Sequence, residues 1–435
     1  MRHIPVMLAL LLALSPGAVA FQAAAPSASV AAESPPEASV AESPSDVTSA
    51  ARTDAVQPAP NGNTTNVMTL GTEPTRSAFD SPTLALGESL ATKHNDVRAQ
   101  LSIDSLDEQL KNTDRTEQKK RILNRYRYRI ENRIISLKAS ERQVATAFSN
   151  GTLSKTEYLY ALGRIDAEAE DTHRKINALK ERASTTDFAF DARSVKTKLV
   201  TLEGPVRDHV LDAMKGGQPS TKIYVATNDN GVVLAMLRNG EYVREVYRAD
   251  NRDSSSNGQM SFEEAENEVL GQQFPWVLDI NNINGAQQRQ YSSLSVLRFI
   301  YFHQHGELTA YVDTSTEKIY RTIQQKQLFG ENSLPPGPAV NESAENLTLS
   351  VSRTYSGGPL RVKLTNATGA PVQGEISIDG EPIGRTTENG VLWTLGPNEE
   401  FRAGATYDGR TVNVTTTPVD AASSSNVTTA LVDSA

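Results

Sequence analysis

Two apolar stripes joined by a short Asn-Gly link constrain this chain more than any other feature. Ile122, Tyr126, Ile130, Ile134, Leu137, Val144 and Phe148 recur at spacings of three, four and seven. Such spacing holds them on one side of a helix. Tyr158, Leu162, Ile165, Ala169, Thr172, Ile176 and Leu179 then repeat at alternating four and three, the seam of helices that supercoil. Asn150-Gly151 stops the first helix because both residues tolerate positive φ. Ser154 and Glu157 form a capping-box pattern that starts the second. So short a link predicts antiparallel neighbours, a coiled-coil-like helical hairpin. The first helix is basic (Arg125, Arg127, Arg129, Arg133) and the second carries Asp166, Glu168, Glu170 and Asp171. Counting equal steps from the turn sets Arg133 opposite Glu170.

The remainder of the 435 residues divides around this hairpin. Residues 1–20 read as a secretory signal: Arg2, an apolar core from Val6 to Leu14, and the small residues Ala18-Val19-Ala20. That core is too short to span a bilayer. No later segment is apolar enough to do so, so no transmembrane segment is expected after signal cleavage. Residues 21–82 are rich in Ala, Pro, Ser and Thr, and predict a disordered stalk. There are no cysteines, which excludes disulfides, thiolate metal sites and a cysteine nucleophile. A net charge of −9 argues against a nucleic-acid partner.

The helical domain is expected over residues 84–183. Leu86, Leu90, Val97 and Leu101 predict a third helix beside the hairpin, broken near Asp104-Ser105. Residues 195–330 predict an α+β domain with antiparallel sheets: a strand at Val195–Val200, a helix at Pro205–Met214, and a meander at Lys222–Thr227, Val232–Leu237 and Tyr242–Tyr247. Asn230-Gly231 and Asn239-Gly240 supply its turns. The pattern recurs, with a helix from Phe262, an irregular insert through Asn281–Gln290, and strands at Leu294–His303, Leu308–Asp313 and Lys318–Thr322. Residues 195–248 and 260–323 therefore suggest an internal duplication, with two sheets packed together. After a linker at 331–345, short strands over 346–418 predict an Ig-like β-sandwich, and 419–435 a disordered tail. The fold class expected is multidomain α+β.

Ser261-Phe-Glu-Glu-Ala265 and Tyr311-Val-Asp-Thr-Ser-Thr-Glu-Lys-Ile319 resemble the PepSY family of exported α+β modules. That resemblance implies a binding or protease-inhibiting role. The runs Gly369–Gly374 and Ile383–Gly390 resemble carboxypeptidase-regulatory and transthyretin-like β-sandwich modules, which implies a structural or adhesive end. The whole pattern, with arginine favoured over lysine, is similar to an uncharacterised family of secreted proteins of halophilic archaea.

Candidate chemistry is sparse. His303 and His305 alternate on a strand and are the best metal candidates, with Glu307 nearby; the plainer reading is an exposed strand. Glu263-Glu264 diverge on a helix surface, and Asn228–Gly231 reads as a tight turn rather than a calcium loop. Asn63, Asn341, Asn346, Asn366, Asn413 and Asn426 head glycosylation sequons. No catalytic residue and no cofactor is expected. The expectation is a non-enzymatic secreted or cell-surface glycoprotein that makes protein–protein contacts in the envelope. The alternatives are an inhibitor or chaperone of an exported protease, and a metal-dependent hydrolase using His303 and His305.

Overall fold

A computed structural model describes residues 66–421. The expected signal, most of the expected stalk, Asn63, Asn426 and the chain beyond 421 lie outside the described residues. After one short strand, three helices follow: α1 (Leu86–Lys111), α2 (Thr116–Ser149) and α3 (Lys155–Ser184). Gly151 takes φ +80° at the link. Ser154 Oγ accepts the Glu157 amide at 3.2 Å, while the Glu157 carboxylate accepts the Ser154 amide at 3.0 Å. Past this corner Phe148 stacks on Tyr158, ring centroids 4.7 Å apart. Leu123, Tyr126, Ile130, Ile134 and Leu137 of α2 share a buried cluster with Ile165, Ala169, Ile176 and Leu179 of α3. Arg133 pairs with Glu168 rather than with Glu170.

α1 differs from expectation twice. It is continuous through Asp104-Ser105, since neither residue lacks the backbone donor a helix needs. Its buried residues are Thr92, Ala99 and Leu106, whereas Leu86, Leu90, Val97 and Leu101 are 69, 71, 48 and 60% exposed. The strand expected at Val195–Val200 is not formed: the short helix α4 (Ala192–Thr197) runs into it, because the Asp191 side chain accepts the Arg193 and Ser194 amides. α5 (Pro205–Met214) lies against α3 and one sheet face.

That sheet has eight antiparallel strands. They are β1 (Arg76–Asp80), β2 (Ile223–Asn228), β3 (Gly231–Arg238), β4 (Glu241–Arg248), β5 (Ile283–Tyr291), β6 (Val296–His303), β7 (Gly306–Asp313) and β8 (Lys318–Gln327). Their order is β1-β2-β3-β4-β8-β7-β6-β5. The two meanders thus abut through β4 and β8 in one sheet, and do not form two packed sheets. Alternation along its inner strands gives the sheet two apolar faces. Ile223, Val225, Val232, Leu234 and Val243 meet α5 and the corner of α2 and α3. Tyr224, Ala226, Val233, Phe299 and Leu308 meet a helical stretch over 262–273, whose middle, Ala265–Leu270, is a π-helix.

Two expected irregular segments are ordered. Met68 and Leu70 are buried in the second core, and β1 pairs with β2 from Arg76↔Thr227 to Asp80↔Ile223. The fold therefore takes in residues 66–82 of the expected stalk. Val67, Met68 and Leu70 are enough apolar surface to order them, and the Asn66, Val67 and Met68 carbonyls accept from Gln324, Gln273 and Arg244. The Asn281–Gln290 insert is largely β5, an edge strand whose polar side chains face water.

Two four-stranded sheets complete the chain. One joins β9 (Ala339–Ala344), β10 (Leu347–Ser352), β11 (Pro359–Asn366) and β14 (Val391–Leu395). The other joins β12 (Glu375–Ile378), β13 (Glu381–Arg385), β15 (Phe401–Tyr407) and β16 (Arg410–Thr416). β9 falls inside the expected linker; most of its side chains are exposed, so it shows no apolar alternation. The Val419 amide bonds the Thr354 carbonyl at 3.0 Å, so the expected tail is tied down at its start. This module docks on the large sheet. Tyr242 Oη donates to the Gly357 carbonyl at 3.0 Å, Arg244 lies 5.2 Å from the Tyr355 ring centre, and Asn398 Nδ2 donates to Ser77 Oγ at 2.9 Å.

Gly357 sits at φ +69°, and a Cβ there would overlap the Tyr224 ring. Gly357→Ala is expected to cost about 1–3 kcal/mol. It should also raise hydrogen exchange at residues 355–358 while that of α2 and α3 is unchanged.

Candidate functional site

The most unusual chemistry in the described residues is buried where helices meet sheet. α5 begins Gly204-Pro205-Val206, with no side chain to cap its first amides. Carboxylates from other elements do so instead, as suits the positive end of a helix. Glu245 Oε1 of β4 accepts the Val206 amide at 2.5 Å, and Asp166 Oδ1 of α3 accepts the Gly204 amide at 3.1 Å. A Cβ on residue 204 would strike the Glu245 carboxylate, which is why glycine stands there.

Arg207, 1% exposed, answers those charges from the next turn. Its Nη1 lies 2.6 Å from Glu141 Oε1 of α2, and its Nε 3.7 Å from Glu245 Oε2. Arg321 of β8 approaches Glu245 at 3.9 Å and donates to the Glu203 carbonyl. Glu141, Asp166, Arg207, Glu245 and Arg321 are all buried. Burial raises the Glu245 carboxyl above its ordinary value, although Arg321 and Arg207 oppose it. Burial also carries the Asp166 carboxyl well above its own. Against the cost of burial, Glu141 and Glu245 hold the Arg207 guanidinium above its usual range. The cluster binds α2, α3, α5, β4 and β8 into one joint. Closed off from water, it is arranged to fix elements rather than to exchange protons with a substrate.

The residues singled out in the sequence are scattered. His303 and His305 both pack on Trp276, ring centroids 5.6 and 5.0 Å away. The His305 amide donates to His303 Nδ1 at 3.2 Å. Burial, with Lys326 and His305 beside it, pushes the His303 imidazole down to about 3, so it is neutral at ordinary pH. Glu307 accepts from Thr309 Oγ1 at 3.1 Å instead of joining them. Among the described residues, no three His, Asp or Glu side chains are grouped to hold a metal ion. Glu264 closes a capping box with Ser261, apart from any role for Glu263. Asn228 Oδ1 accepts the Asn230 and Gly231 amides, making a tight turn. Asp313 is fully buried and accepts from Arg252 and from the Asp253, Ser315 and Thr316 amides, clasping the 250–258 loop to the β7–β8 turn. Asn341 and Asn346 are exposed, whereas Asn366 and Asn413 are half-buried. Asn366 Oδ1 is engaged by Thr368 and Ala370.

Sequence reasoning missed the joint, yet one signal was present. Glu141 stands four residues after Leu137, in phase with the apolar stripe, where a carboxylate demands a buried cation.

Arg207→Met leaves buried Glu141 without its cation and Glu245 with Arg321 alone, and is expected to cost about 3–5 kcal/mol in urea unfolding. Adding Glu141→Gln should recover part of that. Asp166 has a folded value raised above its unfolded one, so its stabilising contribution is present in acid and fades as pH rises past about 4. Asp166→Asn keeps the acceptor for Gly204. It should be more stable than the native chain at pH 7 in urea unfolding, with the difference closing toward pH 4.

Residues 1–219 match a domain of unknown function, DUF7096. Residues 223–330 match a family of unknown function, DUF7094. Residues 339–414 match an archaeal fibronectin-III type-like domain. No curated protein and no solved structure matches. The first boundary falls between α5 and β2, so the family division assigns α5 to the helices and not to the α+β domain begun at residue 195. The charged joint links the first two regions. The C-terminal β-sandwich expected from the sequence is here similar to the archaeal fibronectin-III kind. Because the first match spans just over half of the residues, the chain belongs to the DUF7096 family.

Proposed function

We propose that this is a non-enzymatic protein, exported to the archaeal envelope or beyond it, whose work is protein–protein contact. The observation that carries the reading is the outer face of α1. Leu86, Leu90, Val97 and Leu101 stand in water on a helix whose other side is already packed. An exposed apolar stripe of this kind marks an interaction surface. Likeness to an archaeal fibronectin-III-type domain supports an extracellular place. Among the described residues no helix is long and apolar enough to cross a membrane.

Two finer readings belong to the same proposal. α2 and α3 serve as a coiled-coil-like hairpin that stiffens the presenting unit, which their shared apolar seam supports. The 262–273 helix with β6, β7 and β8 acts as a PepSY-like module, which the Asp313 clasp supports. Protease inhibition is the second reading. It is favoured by β5, nine residues of exposed edge strand that an extended peptide can lengthen by main-chain pairing.

Chemical crosslinking in intact cells that make the protein tests the first reading. The native chain is expected to give crosslinked species that Leu90→Glu loses, with both in the extracellular or envelope fraction. Identical patterns from the two chains would remove α1 as the contact surface. Adding the full chain to secreted proteases of the same cells tests the second, and unchanged hydrolysis rates would dismiss it.

A further inference from the structure

The four exposed residues of α1 have a symmetry of their own. Their spacings are four, seven and four, so the stripe reads the same from either end, about a point between Lys93 and His94. At 100° per residue they fall within an arc of about 60°, opposite Thr92, Ala99 and Leu106. Helix α1 has 26 residues and is about 39 Å long. Nothing among the described residues covers this face.

We propose that the stripe binds the same stripe on a second copy of this chain, the two α1 helices running antiparallel about a two-fold axis at Lys93–His94. The proposal rests on the contact function above and names its partner. A two-fold contact needs a surface that complements itself, with residue i meeting j and j meeting i. The palindromic spacing supplies this, because Leu86 then faces Leu101 and Leu90 faces Val97, each pair made twice. The two copies of Lys93 stand beside the axis, about 1.5 Å apart along it; each is 2.6 Å from Asp96 of its own helix, and Asp96 of the second copy lies on the same flank about 3 Å along the axis, so the two carboxylates answer the two ammonium groups. On the other flank Arg98 meets Gly87 and Ala91, and Gly87 has no atom within 4 Å of a Cβ position, so the guanidinium has room. One helix pair is a small interface, so the dimer forms reversibly, with a dissociation constant on the order of micromolar.

The absence of cysteine makes the test clean. In sedimentation of the full chain over a concentration series, the native protein is expected to pass from monomer to dimer. Leu90→Glu, at a solvent-exposed position, should weaken dimerisation on the order of a hundredfold with an unchanged circular dichroism spectrum and thermal midpoint. Under mild oxidation His94→Cys should form a disulfide dimer. Leu101→Cys should not, because the two copies of residue 101 lie about 22 Å apart along the axis. A native chain that stays monomeric to hundreds of micromolar, or self-linking of Leu101→Cys as readily as His94→Cys, would overturn the proposal. If the chain is monomeric yet Leu90→Glu still loses its crosslinks in cells, the second copy is refuted while the contact function stands. If neither changes, both fall.

Discussion

Everything in this molecule is hung from the meeting of Arg207 with Glu141 and Glu245. The pair of carboxylates arrives from a helix of one region and a strand of the next, and the guanidinium comes from the short α5 between them. Buried ion pairs of this sort contribute little net stability, because desolvation offsets most of the attraction. Their effect is on choice. An apolar helix end can slide over an apolar sheet at small cost, but α5 cannot shift by a turn without leaving a charge unanswered. Glu245 does a second task at the same place by accepting the first amide of α5. One side chain therefore sets both where the helix starts and which strand it starts beside.

The second junction works by different means. The C-terminal sandwich is held by Tyr242, Tyr355 and Arg244, where aromatic faces and a hydroxyl replace formal charge pairs. Tyr242 and Arg244 are near neighbours of Glu245 on β4. Alternation sends Glu245 to the helical side and the two others to the sandwich side. A single strand, 241–248, thus carries the attachments of both flanking regions on its two faces.

Much of this was legible in the sequence, and for identifiable reasons. The α2 and α3 stripes, their Asn-Gly corner and the Ser154 box are local patterns, and local patterns survive without knowledge of the fold. The meander at 223–248 was marked by its Asn-Gly turns. What was hidden depended on distant partners. Val67, Met68 and Leu70 are only three apolar residues after a long polar run, and they are ordered because a sheet two hundred residues later offers them a surface. β5 is polar because one edge of it faces water, so it shows no alternation. For α1 the apolar positions were read correctly, but which side packs inward was decided by small residues, Thr92 and Ala99, that let α3 come close. The charged joint was the least visible, since its members are far apart in the chain and each alone resembles a surface residue.

The way the chain enters its fold has a mechanical side. Residues 66–70 are sunk in the core under the 262–273 helix, and β1 then closes the sheet beside β2. A pull on the chain ahead of Asn66 therefore reaches buried methionine and leucine side chains, and the carbonyls gripped by Arg244 and Gln324, before it reaches any loop. Tethered by that end, the protein would transmit tension straight into its largest sheet, and would hold its shape until that sheet gave way.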